Sequence, residues 1–358
     1  MLYKPYNNKK LIGLEDVKMS IFNDFLAGKL HHSVMITGNK GIGKATLSYH
    51  VANKILDNNS NLSHQVASGN FLFDDIIPDT NELQDDNPTY NLIKNQKHPD
   101  LLVIEKGYNS KESKEDKEIK VASAREIIDF ISLSPYTSQN KVIIIDSIDE
   151  MNISAQNAIL KTLEEPVKNT YIFLICHDKK NVLDTISSRC KEINIPNHNF
   201  DTWKEILTHS YASKKNTLTA EQLEKLYTLS NASISFAIDI IEEDGLFLFQ
   251  QIGELLSNTE LNIDNLHILA DKLNNNITLY NLFSNFILLF LYLSLKALIN
   301  INSVDCYFKE QNRNFLLNNN EKQILEKIKF TQSTLQDIKT FNLSIKHAVV
   351  VLFTELYK

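Results

Sequence analysis

The chain has 358 residues, 43% hydrophobic and 23% charged, the ordinary make-up of a soluble globular chain with room for two or three domains. Its 37 basic and 44 acidic residues leave a net charge of −7, which excludes a whole-chain grip on nucleic acid by bulk positive charge. Cys176, Cys190 and Cys306 are far apart, which excludes a cysteine-built zinc site and a disulfide framework and suits a reducing cytosol.

The opening stretch, MLYKPYNNKKLIGLED, carries no apolar signal region, so a cytoplasmic protein is expected. The first half then alternates short apolar runs with helical patterns, the mark of a mostly parallel sheet covered by helices. Strands are predicted at 33–37, 100–104, 141–145, 170–176 and 192–195, and helices at 45–56, 123–133 and 153–165. Pro166 ends the last of these, because its ring cannot continue a helix. Residues 57–97 and 106–120 are polar and read as solvated insertions; Asp74, Asp75, Asp79, Glu82, Asp85 and Asp86 crowd the first.

After Pro196 the pattern turns helical. Short amphipathic helices are predicted over 197–243, and helices throughout 246–358 with Asn-rich breaks at 274–276 and 318–320. The longest apolar run, 286–293, is far short of the ~20 residues a membrane span needs, so a helix inside a bundle is expected. Domains are therefore drawn at 1–196, 197–245 and 246–358.

The segment Gly38-Asn-Lys-Gly-Ile-Gly-Lys44-Ala-Thr46 follows a strand and opens a helix, the context of a phosphate-binding loop. Gly38, Gly41 and Gly43 let backbone N–H groups turn inward, and Lys44 supplies positive charge. The hydroxyl position holds Ala45, whose methyl cannot ligand Mg²⁺. Thr46 lies about 100° further around the helix. Asp146 ends an apolar strand as the metal-side carboxylate would, but Ser147 follows where an active ATPase carries a second acid. Two chemical positions are thus lost. No hydrolysis by this chain is expected, while weak binding of ATP or ADP and a purely structural loop both stay open. No cofactor is required, and no zinc is expected.

The most specific stretch is Asn157-Ala-Ile-Leu-Lys-Thr-Leu-Glu-Glu-Pro166, then a strand, then Thr185-Ile-Ser-Ser-Arg-Cys190. It resembles the clamp-loader branch of the AAA+ superfamily nearly residue for residue. Leu30-His31-His32-Ser33, the weakened phosphate loop, and His98-Pro99-Asp100 make the resemblance best to the delta prime branch of bacterial DNA polymerase III. It covers roughly residues 11–195. The resemblance implies a RecA-like α/β (AAA+) P-loop domain, a small helical lid and an all-α collar for oligomerisation. It also implies a pentamer with gamma/tau ATPase and delta subunits, which loads a sliding clamp on primer-template DNA.

In that family Ser188-Arg189-Cys190 would project Arg189 across an interface to a neighbour's ATP. A preorganised guanidinium there offsets charge on the phosphoryl oxygens. The plainer alternative pairs Arg189 with a nearby acid such as Glu192. Arginine is scarce, with Arg125, Arg189 and Arg313 alone among the 37 bases; an ion pair with Asp129 explains Arg125, and solvation explains Arg313. Departures from the family are the missing cysteines in 57–97, Ser230 or Asn231 for a glycine, Phe236 for a nucleotide-sensing arginine, and Cys176 or His177 at a polar sensor position. Other classes that remain open are an active gamma/tau-type ATPase and a P-loop nucleotide-binding module outside replication.

Overall fold

A computed structural model describes residues 4–57, 83, 86–109, 114–115, 118–211, 218–258, 261–299, 308 and 312–357. Most of the two polar insertions, 57–97 and 106–120, lies outside the described residues. By their contacts the residues form two compact units: 1–215 with 232–234, and 216–231 with 235–358.

In the first unit the apolar runs become strands: β1 Ser33–Thr37, β2 Leu101–Glu105, β5 Lys141–Asp146, β6 Thr170–Cys176 and β7 Lys191–Asn194. A minor antiparallel pair, β3 Tyr108–Asn109 and β4 Lys114–Glu115, stands apart. The main sheet is parallel in the order β2-β5-β6-β1-β7. Its central strands are buried on both faces, so their sequences need no polar alternation. Successive side chains still divide between two cores. Val34, Ile36, Val142, Ile144 and Phe173 share one with α2, Lys44–Leu56. Met35, Ile143, Ile145 and Leu174 share the other with α4, Val121–Ser132, and α5, Ile153–Glu164. The remaining helices of this unit are α1 Glu15–Leu26, α3 Pro88–Lys94, α6 Asp184–Ser187 and α7 Phe200–Tyr211. The expected RecA-like α/β arrangement is present, with strand and helix limits within about two residues of the sequence reading.

Among the described residues of the second unit every element is a helix: α8 Ala220–Leu229, α9 Ile234–Glu242 (whose first residue belongs to the first unit), α10 Gly245–Ser257, α11 Ile263–Asn275, α12 Ile277–Leu298, α13 Arg313–Leu317, α14 Glu321–Phe341 and α15 Ile345–Tyr357. The Asn-rich breaks are helix starts. Asn276 accepts from the Leu279 N–H at 3.1 Å, and Asn320 forms a reciprocal capping box with Gln323. The apolar run 286–293 lies within α12. By length and composition that helix could cross a membrane, yet Phe283, Phe286, Phe290 and Leu291 are fully buried in this unit. Phe290 meets the rings of Phe308 and Phe315 at centroid distances of 5.5 and 5.2 Å.

Candidate functional site

The strand registers bring chemistry to one end of the sheet. Glu105 lies beside Asp146, and Thr37 beside Cys176, at the carboxyl ends of β2, β5, β1 and β6. In open parallel sheets this is the end at which ligands bind. The loop after β1 curls over it, and three of its glycines need left-handed backbone: Gly38 (φ 144°), Gly41 (φ 80°) and Gly43 (φ 97°). A Cβ on Gly38 would also come within 2.5 Å of the Ile195 carbonyl.

Lys44 opens α2 but does not reach outward. Its Nζ donates to the carbonyls of Gly38 and Asn39, both at 2.6 Å, and the side chain is almost fully buried. Burial lowers its pKa to about 8, against the pull of Asp149 and Asp146. Asp146 moves the other way, up to about 6, through burial and the nearby charges of Glu105 and Glu150. The loop is also tied from outside. The Ile234 N–H donates to the Gly41 carbonyl at 3.0 Å, and His198 Nε2 lies 2.9 Å from the Ile42 carbonyl.

The other positions that would serve a bound Mg-nucleotide do not fit one. Ala45 offers no oxygen. Ser147 is buried, and its Oγ has no partner among the described residues. The two displaced acids are committed elsewhere. Asp149 accepts the backbone N–H groups of His177 (2.9 Å) and Asp178 (3.2 Å). Glu150 pairs with Lys106 at 3.0 Å and with Lys40 of the loop at 3.6 Å. At the sensor position Cys176 is fully buried, and burial together with the Lys44 charge lowers the His177 pKa to about 4, so the imidazole is neutral at pH 7. Phe236 packs edge-on against Phe286, 6.0 Å between centroids. Thr46, in the first turn of α2, is half-buried.

Arg189 sits elsewhere, at the end of the α6 turn that leads into β7. Asn152 caps α5 through the Ala155 N–H at 2.9 Å. From that helix Gln156 reaches the Met151 and Asn181 carbonyls (2.8 and 2.9 Å) and accepts from the Leu183 N–H at 2.9 Å. Gln156 therefore fixes the loop that carries α6. The sequence reading began its motif at Asn157 and missed it. A buried polar residue on the apolar face of a helix was the available signal. Ser188 caps α6, with Oγ donating to the Thr185 carbonyl at 3.1 Å. The Cys190 thiol is pushed up to about 12 by burial, so it packs rather than reacts. Arg189 Nη1 donates to the Thr185 carbonyl at 2.8 Å and to Ser188 Oγ at 3.4 Å, and Nη2 pairs with Glu164 Oε1. The acid beside Arg189 is thus Glu164 and not Glu192, which instead bonds Lys179 (2.7 Å) and Thr37 (3.1 Å). Among the described residues no group of three or more His, Cys, Asp or Glu is placed to hold a metal ion.

Residues 14–199 match the family model described as DNA polymerase III, delta subunit. The chain is similar to the DNA polymerase III subunit gamma of Buchnera aphidicola subsp. Schizaphis graminum, 26% identical over 261 residues, covering 72% of this chain and 64% of that one. It is similar to the subunit delta' of Pseudomonas aeruginosa, 29% identical over 202 residues, covering 56% and 53%. It is also similar to the subunit tau of Escherichia coli, 21% identical over 263 residues, covering 72% and 37%. The matched part is therefore less than two thirds of each of these relatives. Among solved structures, a gamma subunit-related protein of Thermotoga maritima aligns over 88% of this chain and 96% of that one at 17% identity, with a TM-score of 0.39.

Proposed function

Because the chain belongs to the family described as DNA polymerase III, delta subunit, we propose that it is a clamp-loader subunit of the delta prime type. On this reading it has a RecA-like domain (1–196), a lid (197–245) and a collar (246–358). It assembles with gamma/tau ATPase subunits and a delta subunit to place a sliding clamp on primer-template DNA. It hydrolyses no ATP itself. Arg189 reaches the ATP of an adjacent subunit, where a planar guanidinium stabilises charge on the transferring phosphoryl group.

One observation carries this reading: the chain's own phosphate loop has its lysine turned onto loop carbonyls, while Arg189 is held on a surface turn. Fingers of this kind are worth about 10³–10⁵ in rate in GTPases. The test is reconstitution with gamma/tau and delta subunits carrying Arg189→Ala or Arg189→Lys. Lysine keeps the charge and loses the fork, so both variants should assemble normally and lose about 10-fold or more of the clamp-stimulated ATPase. Unchanged ATPase and loading with either variant would sink the role given to Arg189.

A second reading is favoured by the similarity to gamma and tau subunits over 72% of the chain, more than the 56% shared with the delta' subunit. It makes the chain an ATPase of gamma/tau type. Micromolar Mg·ATP affinity with turnover by the isolated chain would establish it over the first.

A further inference from the structure

A guanidinium has five N–H donors. Among the described residues Arg189 uses three: one on Glu164, one on the Thr185 carbonyl and one on Ser188 Oγ. The Nε–H and one N–H of Nη2 have no partner among the described residues. The side chain is 33% exposed and that of Glu164 is 46% exposed, so the pair lies at the surface with part of the fork open to solvent.

The placement of Glu164 is itself informative. It is the last residue of α5, the end at which the helix dipole disfavours a carboxylate. The guanidinium beside it offsets that. Glu164 and the Thr185 carbonyl hold the planar group from two elements, α5 and α6, so two contacts fix its plane as one would not. Two donors, the number needed to bind two phosphate oxygens, are left for an incoming group.

We propose that Glu164 is a positioning residue for Arg189, holding the guanidinium plane in its working orientation before a neighbour's nucleotide arrives. This rests on the trans-acting role given to Arg189 above. Glu164 does not touch the phosphate. Its contribution is the side-chain ordering that docking would otherwise have to supply. Immobilising one long side chain corresponds to a loss of about 2- to 10-fold when that ordering is absent.

Two measurements on the full chain test this. With only three arginines in the sequence, the Nε–Hε resonances are few, and the one that disappears in Arg189→Lys belongs to Arg189. In Glu164→Gln, rotation of the Arg189 guanidinium about its Cζ–N bonds should speed up while the other two arginines are unchanged. In the reconstituted loader the same variant should assemble normally, keep its melting temperature and lose about 2- to 10-fold of clamp-stimulated ATPase. Glu164→Asp keeps the charge but loses the reach, and should behave like Glu164→Gln.

Unchanged guanidinium dynamics, or ATPase equal to or above that of the unaltered chain in both Glu164 variants, overturns the proposal. If Arg189→Ala is inactive while both Glu164 variants are fully active, the positioning role fails and the role of Arg189 stands. If Arg189→Ala is fully active, both fail.

Discussion

Lys44 carries its charge where water barely reaches, and its titration should be visible in stability. Its pKa falls from 10.5 in the unfolded chain to about 8 in the fold. Between those values the unfolded chain holds a proton that the folded chain has released, so stability from this group rises with pH across that window. Removing the charge removes the rise. Lys44→Met also strips a donor from the Gly38 and Asn39 carbonyls, which shifts its stability by a constant amount, but between pH 7 and 10.5 the unaltered chain should gain roughly 2–3 kcal/mol on it. Denaturant melts at several pH values measure this, and a constant gap would show that burial does not penalise the charge. Asp146 works in the opposite sense. Its folded pKa of about 6 lies above the unfolded 3.8, so its contribution is full below 3.8 and is lost as pH rises through 6. At neutral pH both groups of this degenerate site therefore cost stability.

At the scale of elements, the loop between α4 and β5 is organised by one carboxylate. Asp100, buried at the start of β2, accepts the N–H groups of Tyr136, Thr137 and Ser138 at 2.6, 2.7 and 2.8 Å, and the Thr137 hydroxyl at 2.8 Å. Burial alone would raise its pKa, but these donors hold it below the ordinary value. Its stabilisation is thus present above about pH 4 and fades as pH falls through the lowered folded value. Asp100→Asn brings an amide among four donors and should cost about 2–3 kcal/mol, read as a lower denaturation midpoint with unchanged slope. The sequence showed His98-Pro99-Asp100 as the opening of a strand but not this clamp, because its partners lie 36–38 residues away. The same division holds elsewhere. The glycine loop and the Asn-rich breaks at 274–276 and 318–320 were legible because each is local in the chain; that Asn276 and Asn320 cap the helices that follow, and Asn152 caps α5, is what the structure adds. The partner of Arg189 was not. Glu192 is nearer in sequence, but β7 turns it toward Lys179, and the length of α5 decides that Glu164 arrives instead.

At the scale of the whole molecule, the α/β unit and the helical unit each bury their own aromatic and aliphatic core. Phe290 is fully buried between Phe308 and Phe315, so Phe290→Ala should cost about 3–5 kcal/mol. Hydrogen exchange should rise in α12, α13 and α14 and stay unchanged in β5 and β6; faster exchange in the sheet as well would mean that the two units open together.

The strand order has a consequence for colloidal behaviour. Its outer strand β7 has only four residues, three of them exposed, and its first two are tied into ion pairs, Lys191 with Asp24 and Glu192 with Lys179. A short, charged edge is a poor template for another strand and resists edge-to-edge aggregation. With strand addition discouraged at this edge, other molecules meet that side of the sheet through its turns: the glycine loop at the carboxyl end and, at the opposite, amino end, the turn that carries Arg189 into β7.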